Sequence, residues 1–435
     1  MLGILGGGFS GLSLAYLYHG ESEILEMNDT IGGHCRSHTK DGFRYDEGGH
    51  ILFSRNQNLL QKLLDIMGPN ISQHYRMNKI WYKKRFVKYP FENGLGDLDK
   101  DDIYDCLINY LNNNYPDPTN FREWIYYLFG KGIAEKYLIP YNEKIWKTDL
   151  TKMTIDWVGG RIPRPPKEDI VKSALGISTE GYTHQLNFYY PLRGGIQSLP
   201  DSLALLIKNK CKITSGFRVR SVRKIRDGWA VSNGYETRHY EKLICTIPVQ
   251  ELLKCMEAVP SEVIDGANRL HYNSSVFVML GLKDCLAKDI TSVYFPDPSL
   301  PFHRVGFPHS YDPECVPKNN FIAVAEISCP KGDGRWLWSD EEILNEVINR
   351  LVQNGYFCNS DVITSDLTRE KYSYVVYDTN HKTSAKTIRS YAEESGIELL
   401  GRFGQFEYWN LDQCFESAAK LAEKLNSNAS RMNLE

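Results

Sequence analysis

Apolar and polar positions at the start of the chain follow a strand–turn–helix–strand pattern. Residues 2–5 form a short apolar run, and apolar residues then recur at helical spacing over 12–17. A second strand pattern, 23–26, ends on Glu26. Between the first strand and the helix lie three glycines at the spacing GxGxxG, namely Gly6, Gly8 and Gly11. The pattern predicts a βαβ unit with a glycine-rich first turn.

Each glycine of this turn has its own role in binding a dinucleotide. Gly6 allows a tight turn, Gly8 lets the backbone approach a pyrophosphate, and Gly11 lets the helix pack closely on the strand. The helix N-terminus offers unpaired N–H groups to the phosphates. Glu26 lies where a carboxylate accepts a hydrogen bond from a ribose hydroxyl. We therefore expect a dinucleotide cofactor at the start of the chain.

Further along the chain the spacing of apolar residues predicts a helical region and then alternating helices and strands. Residues from about 55 to 180 look mostly helical, and a glycine-rich loop at 190–195 precedes a helix at 196–209. Further elements are expected as strands at 211–214, 218–225, 229–232 and 242–247, a β-rich section at 270–330, a helix at 340–352, another strand region, a strand at 398–402 and a last helix at 412–425.

These elements predict an α/β fold with an interrupted Rossmann-like domain, an arrangement typical of flavoproteins. A Rossmann-like FAD-binding domain would comprise 1–55, 190–270 and 395–425. A mostly helical insertion at 56–189 and a mixed or antiparallel β-sheet domain at 271–394 would supply the substrate surfaces. We expect the polar residues 426–435 to form a frayed tail.

Composition narrows the class of protein. The 435 residues carry a net charge of -3 with 42% hydrophobic and 24% charged residues, which is typical of a globular protein. This charge argues against nucleic acid or an anionic membrane as the main partner. Ten cysteines occur without a CxxC pair or zinc-ligand spacing, so no metal is expected. Without a signal peptide or a membrane-length apolar run, we expect a cytoplasmic protein with reduced thiols.

Several strings resemble the FAD-dependent UDP-galactopyranose mutases, most closely their eukaryotic-type branch, within the amine-oxidase-like flavoprotein superfamily. The resemblance runs over nearly the whole chain and keeps the spacing between motifs. It rests on Gly32-Gly33-x-x-Arg36-Ser37, the segment 45–54 around Gly48-Gly49-His50, Tyr89-Pro90-Phe91-Glu92-Asn93, Pro140-Tyr141-Asn142-x-Lys144-Ile145-Trp146 reaching Arg161, Tyr294-Phe295-Pro296 before Pro301-Phe302-His303-Arg304, and Gly401-Arg402-Phe403-Gly404-x-x-x-Tyr408.

The resemblance implies FAD as the cofactor. Gly6, Gly8 and Gly11 would hold the pyrophosphate, Glu26 the adenosine ribose, Arg36 and Ser37 the phosphate and ribityl chain, Val219 the adenine edge, Gly48, Gly49, His50 and Gly401 the surroundings of the isoalloxazine, and Asn410 and Asp412 the ribityl and pyrimidine side. Two alternatives stay open. Val219 is equally compatible with a core strand, and Asp412 with an N-cap.

The substrate residues that the resemblance implies are mainly arginines and tyrosines. Arg304 and Arg402 suit a diphosphate, since a guanidinium makes two parallel hydrogen bonds to phosphate oxygens. The remaining assignments are Tyr311, Tyr374 and Tyr408 donating to the same diphosphate (with Tyr372 and Tyr377 close to Tyr374), Arg161 between flavin and sugar, Tyr141, Asn142 and Trp146 near sugar and nucleotide, and Tyr89, Phe91 and Tyr294 as an aromatic clamp on uracil beside Glu92.

The implied reaction is the reversible ring contraction of UDP-galactopyranose to UDP-galactofuranose. In this family the N5 atom of the reduced flavin attacks the anomeric carbon and forms a flavin–sugar adduct while UDP leaves. NADPH or NADH would reduce the flavin, and no net oxidation occurs in a turnover. The arginines would stabilise the departing diphosphate.

Two positions depart from the family pattern and keep alternatives open. Glu92 stands where the family often has Gln, which puts a carboxylate near an anionic substrate unless it pairs with an arginine, is protonated, or accepts an N–H. His303 stands where close relatives commonly have Tyr. A mutase acting on an N-acetylated or deoxy sugar nucleotide is therefore the nearest alternative. An amine-oxidase-like oxidoreductase and a catalytically silent binding protein are further ones.

Overall fold

The computed structural model describes residues 1–159, 161–162, 164–181, 186–330 and 332–432. Its strands are β1 (Leu2–Leu5), β2 (Ser22–Leu25), β3 (Ser37–Lys40), β4 (Phe43–Asp46), β5 (Ser72–Tyr75), β6 (Asn78–Tyr82), β7 (Arg85–Lys88), β8 (Asn187–Tyr190), β9 (Cys211–Thr214), β10 (Ser221–Ile225), β11 (Gly228–Ser232), β12 (Thr237–Tyr240), β13 (Lys242–Cys245), β14 (Tyr272–Leu282), β15 (Ser292–Tyr294), β16 (Arg304–Gly306), β17 (Phe321–Pro330), β18 (Val362–Val375) and β19 (Ile397–Leu399).

The helices lie between these strands. They are α1 (Phe9–Leu17), α2 (Gln57–Met67), α3 (Lys100–Leu111), α4 (Phe121–Ile133), α5 (Ile139–Trp146), α6 (Lys167–Ala174), α7 (Ser198–Ile207), α8 (Val249–Cys255), α9 (Ser261–Arg269), α10 (Asp340–Gln353), α11 (His381–Ser395) and α12 (Leu411–Met432).

A five-stranded parallel sheet carries the glycine turn. Its strand order is β19-β13-β1-β2-β9, so the central strand β1 pairs with one strand from the start and one from the middle of the chain. The apolar strands β1 and β2 are buried along their whole length, as parallel strands covered on both faces are. Helices α1, α7 and α12 pack into one apolar core beside this sheet. The expected α/β flavin-binding fold is confirmed.

A seven-stranded mixed sheet forms the second layer. Its order is β18-β14-β17-β16-β15-β6-β7, and β15 and β6 are its parallel pair. The apolar stripe of α10 packs against one face of the sheet. The side chains of Phe277, Met279, Ile322 and Val324 pack on the β3–β4 hairpin, which follows the glycine turn in sequence. This contact places the second sheet beside the predicted cofactor region.

The segment 56–189, expected to be mostly helical, also contains strands. Strands β6 and β7 form a hairpin that extends the seven-stranded sheet, and β5 pairs with β8. The tip of the hairpin is Lys83-Lys84, both with positive φ. These strands are only four or five residues long. So short an apolar alternation is easily hidden among the helices around it.

Two further expectations need correction. The strand region expected after 352 includes the 15-residue helix α11, whose buried face is built partly from Ser384, Ala385 and Ala392 and so gives only a weak apolar pattern. The tail expected at 426–435 is helical as far as Met432, and residues 433–435 lie outside the described part. Asn426 anchors this last stretch, since its side chain accepts from the His19 N–H and donates to the Leu17 carbonyl.

Within the described ranges, no helix combines the length and the apolar character needed to cross a membrane.

Candidate functional site

The glycine turn is shaped for close approach by a ligand. Gly6 has φ +104°, a conformation that favours glycine. A Cβ at Gly11 would lie 2.3 Å from the carbonyl oxygen of Gly6, so no side chain fits there. Gly8 begins α1 without a side-chain cap, and a Cβ at Gly33 would lie 3.0 Å from the Cα of Gly8. The bare backbone and the helix N-terminus together fit a pyrophosphate.

Glu26 follows β2 immediately and is buried. Its carboxylate accepts from the Gly7 N–H at 2.8 Å and from the backbone and side-chain nitrogens of Asn28, both at 2.9 Å. The carboxylate therefore holds the glycine turn in place. Because a carboxylate offers about four lone-pair positions, a ribose hydroxyl can be accepted as well.

Arg36 and Ser37 lie next to the turn but are already hydrogen-bonded within the protein. Nη2 of Arg36 lies 3.3 Å from Glu47 and 3.2 Å from Glu370. The Ser37 hydroxyl donates to Asp46 at 2.6 Å. Burial and the nearby Glu47 raise the pKa of Glu370 to about 7. As the structure stands, Arg36 is paired with carboxylates before any phosphate binds.

The loop Gly48-Gly49-His50 meets a guanidinium from the second sheet. A Cβ at Gly49 would lie 3.2 Å from Nη1 of Arg304, so the guanidinium rests against bare backbone. Nε2 of His50 lies 3.0 Å from the carbonyl oxygen of Glu47, which requires the proton on Nε2 and leaves Nδ1 as an acceptor. Burial and the charge of Arg402 lower the pKa of His50 to about 4, so the imidazole is neutral at neutral pH.

Strand register brings the substrate candidates into one row across the second sheet. Tyr294 pairs with Arg304, Arg304 with Glu326, and Glu326 with Phe277. Glu326 accepts from Nε of Arg304 at 3.0 Å, from its Nη2 at 2.5 Å, and from the Tyr374 hydroxyl at 2.5 Å. Burial alone would raise the pKa of Glu326, but Arg304 and these hydrogen bonds hold it down at about 2.

Sequence reasoning missed Glu326. The signal available was a lone acidic residue inside the apolar strand β17, where a charge is costly unless it is paired. The hydrogen bond to Glu326 also distinguishes Tyr374 from the two nearby tyrosines. Tyr372 donates to Glu251 instead, and Tyr377 donates to Glu407. Of the three tyrosines, only Tyr374 hydrogen-bonds to Glu326.

Arg161 and Arg402 both lie over the ring of Tyr408. Their guanidinium carbons are 4.3 and 4.5 Å from its centroid, a distance typical of cation–π contacts. Arg161 also donates to the carbonyl of Tyr408 and to Oε1 of Gln413, a residue that the sequence did not single out. Arg402 donates to the Ser373 carbonyl at 2.5 Å, and its buried Nε has no partner among the described residues. That N–H is available to a ligand.

The predicted aromatic clamp takes a different form. Tyr89 and Tyr294 already stack on each other with centroids 4.8 Å apart, so no base fits between them. Tyr141 meets Tyr294 edge-on at 5.5 Å. Phe91 is fully buried against Tyr137 and lines no opening. A base would have to stack on an outer face of this tyrosine group.

Asn142 and Trp146 are buried, and their polar groups bond inside the protein. The Asn142 amide donates to the Leu138 carbonyl at 2.7 Å and accepts from Trp146 Nε1 at 3.0 Å. The Trp146 ring packs edge-on against Tyr374 and Tyr408. These two residues therefore support the site tyrosines, and part of the hydrogen-bonding capacity of Asn142 is already used inside the protein.

The two positions that depart from the family pattern are both buried. Burial raises the pKa of Glu92 to about 7, so protonation, one of the three possibilities, is open to this carboxyl group near neutral pH. His303 is 1% exposed, and neither of its ring nitrogens has a hydrogen-bond partner in the described part of the chain. Burial lowers its pKa to about 3, so it is neutral.

A small cavity lies beside Arg304. Its lining includes Gly49, Arg304, Tyr311 and Glu326. The ring of Tyr311 packs on Tyr190 at 4.9 Å, which holds it at this wall. The cavity thus lies between the loop expected at the flavin and the charged row of the second sheet.

The structure also places the remaining cofactor candidates, which are Gly401, Asp412, Asn410 and Val219. A Cβ at Gly401 would lie 2.5 Å from Oγ of Ser10, so the loop before Arg402 closes on the first turn of α1. Asp412 is the second residue of α12 and accepts from the Ser54 hydroxyl at 2.9 Å, so it is not the N-cap. Asn410 is exposed just before the helix. Val219 is half-buried just before β10, because the strand expected at 218–225 begins only at Ser221.

Comparison with known proteins identifies the family. The model of the flavin containing amine oxidoreductases matches residues 9–397. The chain belongs to this family. A crystal structure of reduced UDP-galactopyranose mutase is similar over 98% of this chain and 95% of that one, with a TM-score of 0.89 and 25% identity. The resemblance to these mutases is therefore confirmed, and the bare glycine turn fits the flavin that the family description names.

Two further relatives are similar to this chain, one in fold and one in sequence over a short stretch. A putative protoporphyrinogen oxidase from Exiguobacterium sp. 255-15 shares the fold at a TM-score of 0.77 and 16% identity, covering 98% of both chains. An uncharacterized protein in the nifH2 3′ region of Methanothermococcus thermolithotrophicus is 38% identical over 64 residues. That match spans 14% of this chain and 63% of the relative's length.

Proposed function

We propose that this protein is a flavin-dependent mutase that interconverts UDP-galactopyranose and UDP-galactofuranose. The observation that carries the proposal is the position of Arg304, which Glu326 holds against the bare backbone of Gly49 at the wall of the cavity. A fixed guanidinium between a flavin loop and a row of tyrosines suits a diphosphate ester better than an amine.

FAD is the proposed cofactor, with its pyrophosphate on Gly6, Gly8 and Gly11 and its ring beside Gly48-Gly49-His50. When reduced by NADPH or NADH, the flavin supplies the nucleophile for ring contraction. His50 is neutral near neutral pH, and its Nδ1 would be free to accept a hydrogen bond from the cofactor or the sugar. This role orients the reacting groups without a strong acid or base.

The arginines supply the electrostatic part of the reaction. Negative charge grows on the diphosphate as the anomeric bond breaks, and Arg304 and the unpartnered Nε–H of Arg402 would act as donors that stabilise it. Tyr311, which lines the cavity, would add a neutral donor, and Tyr408 would add another beside Arg402. Arg161 and Arg402 both contact the ring of Tyr408, so two cations hold this ring in place.

The test is turnover by the purified, yellow protein under anaerobic conditions. After reduction by dithionite or NADPH, UDP-galactofuranose should be converted to UDP-galactopyranose over many turnovers per reduced flavin, as followed by chromatography. The oxidised protein serves as the control and should be inactive. Consumption of one reductant per product would contradict the mutase and favour an amine-oxidase-like oxidoreductase. Bound flavin without any turnover would favour the silent binding protein.

A mutase acting on another nucleotide sugar is the second candidate. It is favoured by Glu92, since a buried carboxyl group with a pKa near 7 can carry or lose a proton, which an amide cannot do. The same assay with N-acetylated and deoxy sugar nucleotides separates the two candidates by their kcat/KM values. A clear preference for UDP-galactose substrates would remove this alternative.

A further inference from the structure

Lys144 is a buried cation to which the proposed reaction assigns no role. It lies on α5 and is 5% exposed. Its Nζ donates to the carbonyl oxygens of Phe295 at 2.8 Å and Asp297 at 2.6 Å. Both carbonyls belong to the loop that directly follows β15. One side chain therefore joins the helical insertion to the second sheet.

On either side of this link lie two tyrosines that the family resemblance assigns to the nucleotide end of the substrate. Tyr141 lies three residues before Lys144, one turn away on the same helical face. Tyr294 directly precedes Phe295. The two tyrosine rings meet edge-on at 5.5 Å, and Tyr294 is the register partner of Arg304. The length of the Lys144 side chain therefore sets the spacing between Tyr141 on α5 and Tyr294 at the end of β15.

Burying a lysine at this position costs desolvation free energy, so space filling alone does not account for the choice of residue. Burial lowers the pKa of Lys144 to about 7, with Lys147 and Arg335 adding to the effect and Asp297 opposing it. A methionine of similar length fills the same space without the cost of removing an ammonium group from water. What a methionine lacks is the pair of directed hydrogen bonds to the β15 loop.

We propose that Lys144 is a positioning residue for the nucleotide end of the substrate site. It holds Tyr141 and Tyr294 at the spacing that creates the stacking surface for the base of a uridine diphosphate. The inference rests on the proposed function. Asn273 holds α5 independently, by donating to the carbonyls of Ile145 and Trp146 at 3.1 and 2.7 Å, so the helix stays docked when Lys144 is replaced.

The experiment compares Lys144→Met with Lys131→Met, which removes an exposed lysine from the neighbouring helix α4. UDP binding to the FAD-loaded proteins is measured by calorimetry, and steady-state constants are measured on the reduced enzymes. For Lys144→Met the Kd for UDP and the KM should rise about tenfold while kcat stays within about twofold, because binding and not chemistry is altered. FAD content should equal that of the wild type, and Lys131→Met should match the wild type throughout.

Wild-type affinity for UDP in Lys144→Met would overturn the inference and leave the proposed function standing. Failure of the wild-type protein to bind UDP would overturn both. If Lys144→Met gives no FAD-loaded protein, Lys144→Gln decides, because its amide N–H still reaches toward one carbonyl. A raised Kd for UDP in Lys144→Gln supports the inference, and an unchanged Kd overturns it.

Discussion

The glycine turn and the charged row of the second sheet are two halves of one candidate site, built in opposite ways. The turn lies within ten residues of sequence, and its backbone shape is its function. The row takes Tyr294, Arg304 and Glu326 from three strands, and each side chain is placed by pairing with the next strand. The first half depends on the absence of side chains, and the second on their exact partners across a sheet.

The largest effect, a loss of bound FAD, is expected from a side chain at Gly11 in the glycine turn. Gly11→Ala places a methyl group 2.3 Å from the Gly6 carbonyl oxygen, and neither backbone segment can move without breaking the βαβ unit. FAD content, measured by the flavin-to-protein absorbance ratio, should fall to less than about a tenth of wild type, because the pyrophosphate cradle is lost. Gly334→Ala is the control, since a methyl group there meets open space. Full flavin content in Gly11→Ala would show that the cradle is not the cofactor site.

A substitution in the second sheet is expected to lower turnover while the protein keeps its flavin. Arg304→Ala removes a charge-assisted donor from the leaving diphosphate, and kcat should fall about 10²–10³-fold. Flavin content and spectrum should stay as in the wild type. Arg350→Ala, on the outer helix α10, controls for loss of an arginine and should be fully active. Normal turnover in Arg304→Ala would remove the diphosphate assignment.

A smaller effect is expected from the residue that holds Arg304. Glu326→Gln keeps the shape but removes the negative charge that fixes the guanidinium, so kcat/KM should fall about tenfold. Glu346→Gln, which changes the half-buried partner of Arg350 on α10, is the matched control. If the two variants behave alike, the register row does not position the arginine.

The smallest effect is expected at Glu92 and shows in stability. The folded-state pKa of about 7 lies above the ordinary value of 4.5, so the folded protein holds a proton that the unfolded chain releases. The stability from this group is full below pH 4.5 and is lost as the pH rises through 7. Glu92→Gln should therefore raise Tm relative to wild type more at pH 8 than at pH 5.5, in thermal scans of the FAD-loaded protein. An equal change at both pH values would show that Glu92 is ionised when folded.

The two halves also differ in how well the sequence predicted them. The βαβ unit, its glycines and Glu26 followed from spacing within about 25 residues, and the structure has them as expected. In the second sheet the arginines and tyrosines were found through family resemblance, yet Glu326, Gln413 and the stacking of Tyr89 on Tyr294 were missed. Each of these depends on a partner far away in sequence, which no local pattern reports.

The same limit explains the errors in the fold. Helix α11 has serine and alanine on its buried face, so its apolar pattern is too weak to reveal it. Strands β6 and β7 are too short to stand out from the helices around them, and only their pairing with β15 defines them. The end of α12 is ordered by Asn426 contacting α1, about 400 residues earlier in the chain.

The order of residues alone determined the nucleotide turn, because glycine conformations and helix starts are set by neighbours in the chain. The sequence also determined that arginines and tyrosines would supply the second half of the site. The tertiary structure decided which of them act together: register placed Glu326 on Arg304, the folded loops set Arg161 and Arg402 on one ring, and burial raised the pKa of Glu92. Electrostatic partners and desolvation arise only when distant segments pack, which is why these properties belong to the fold.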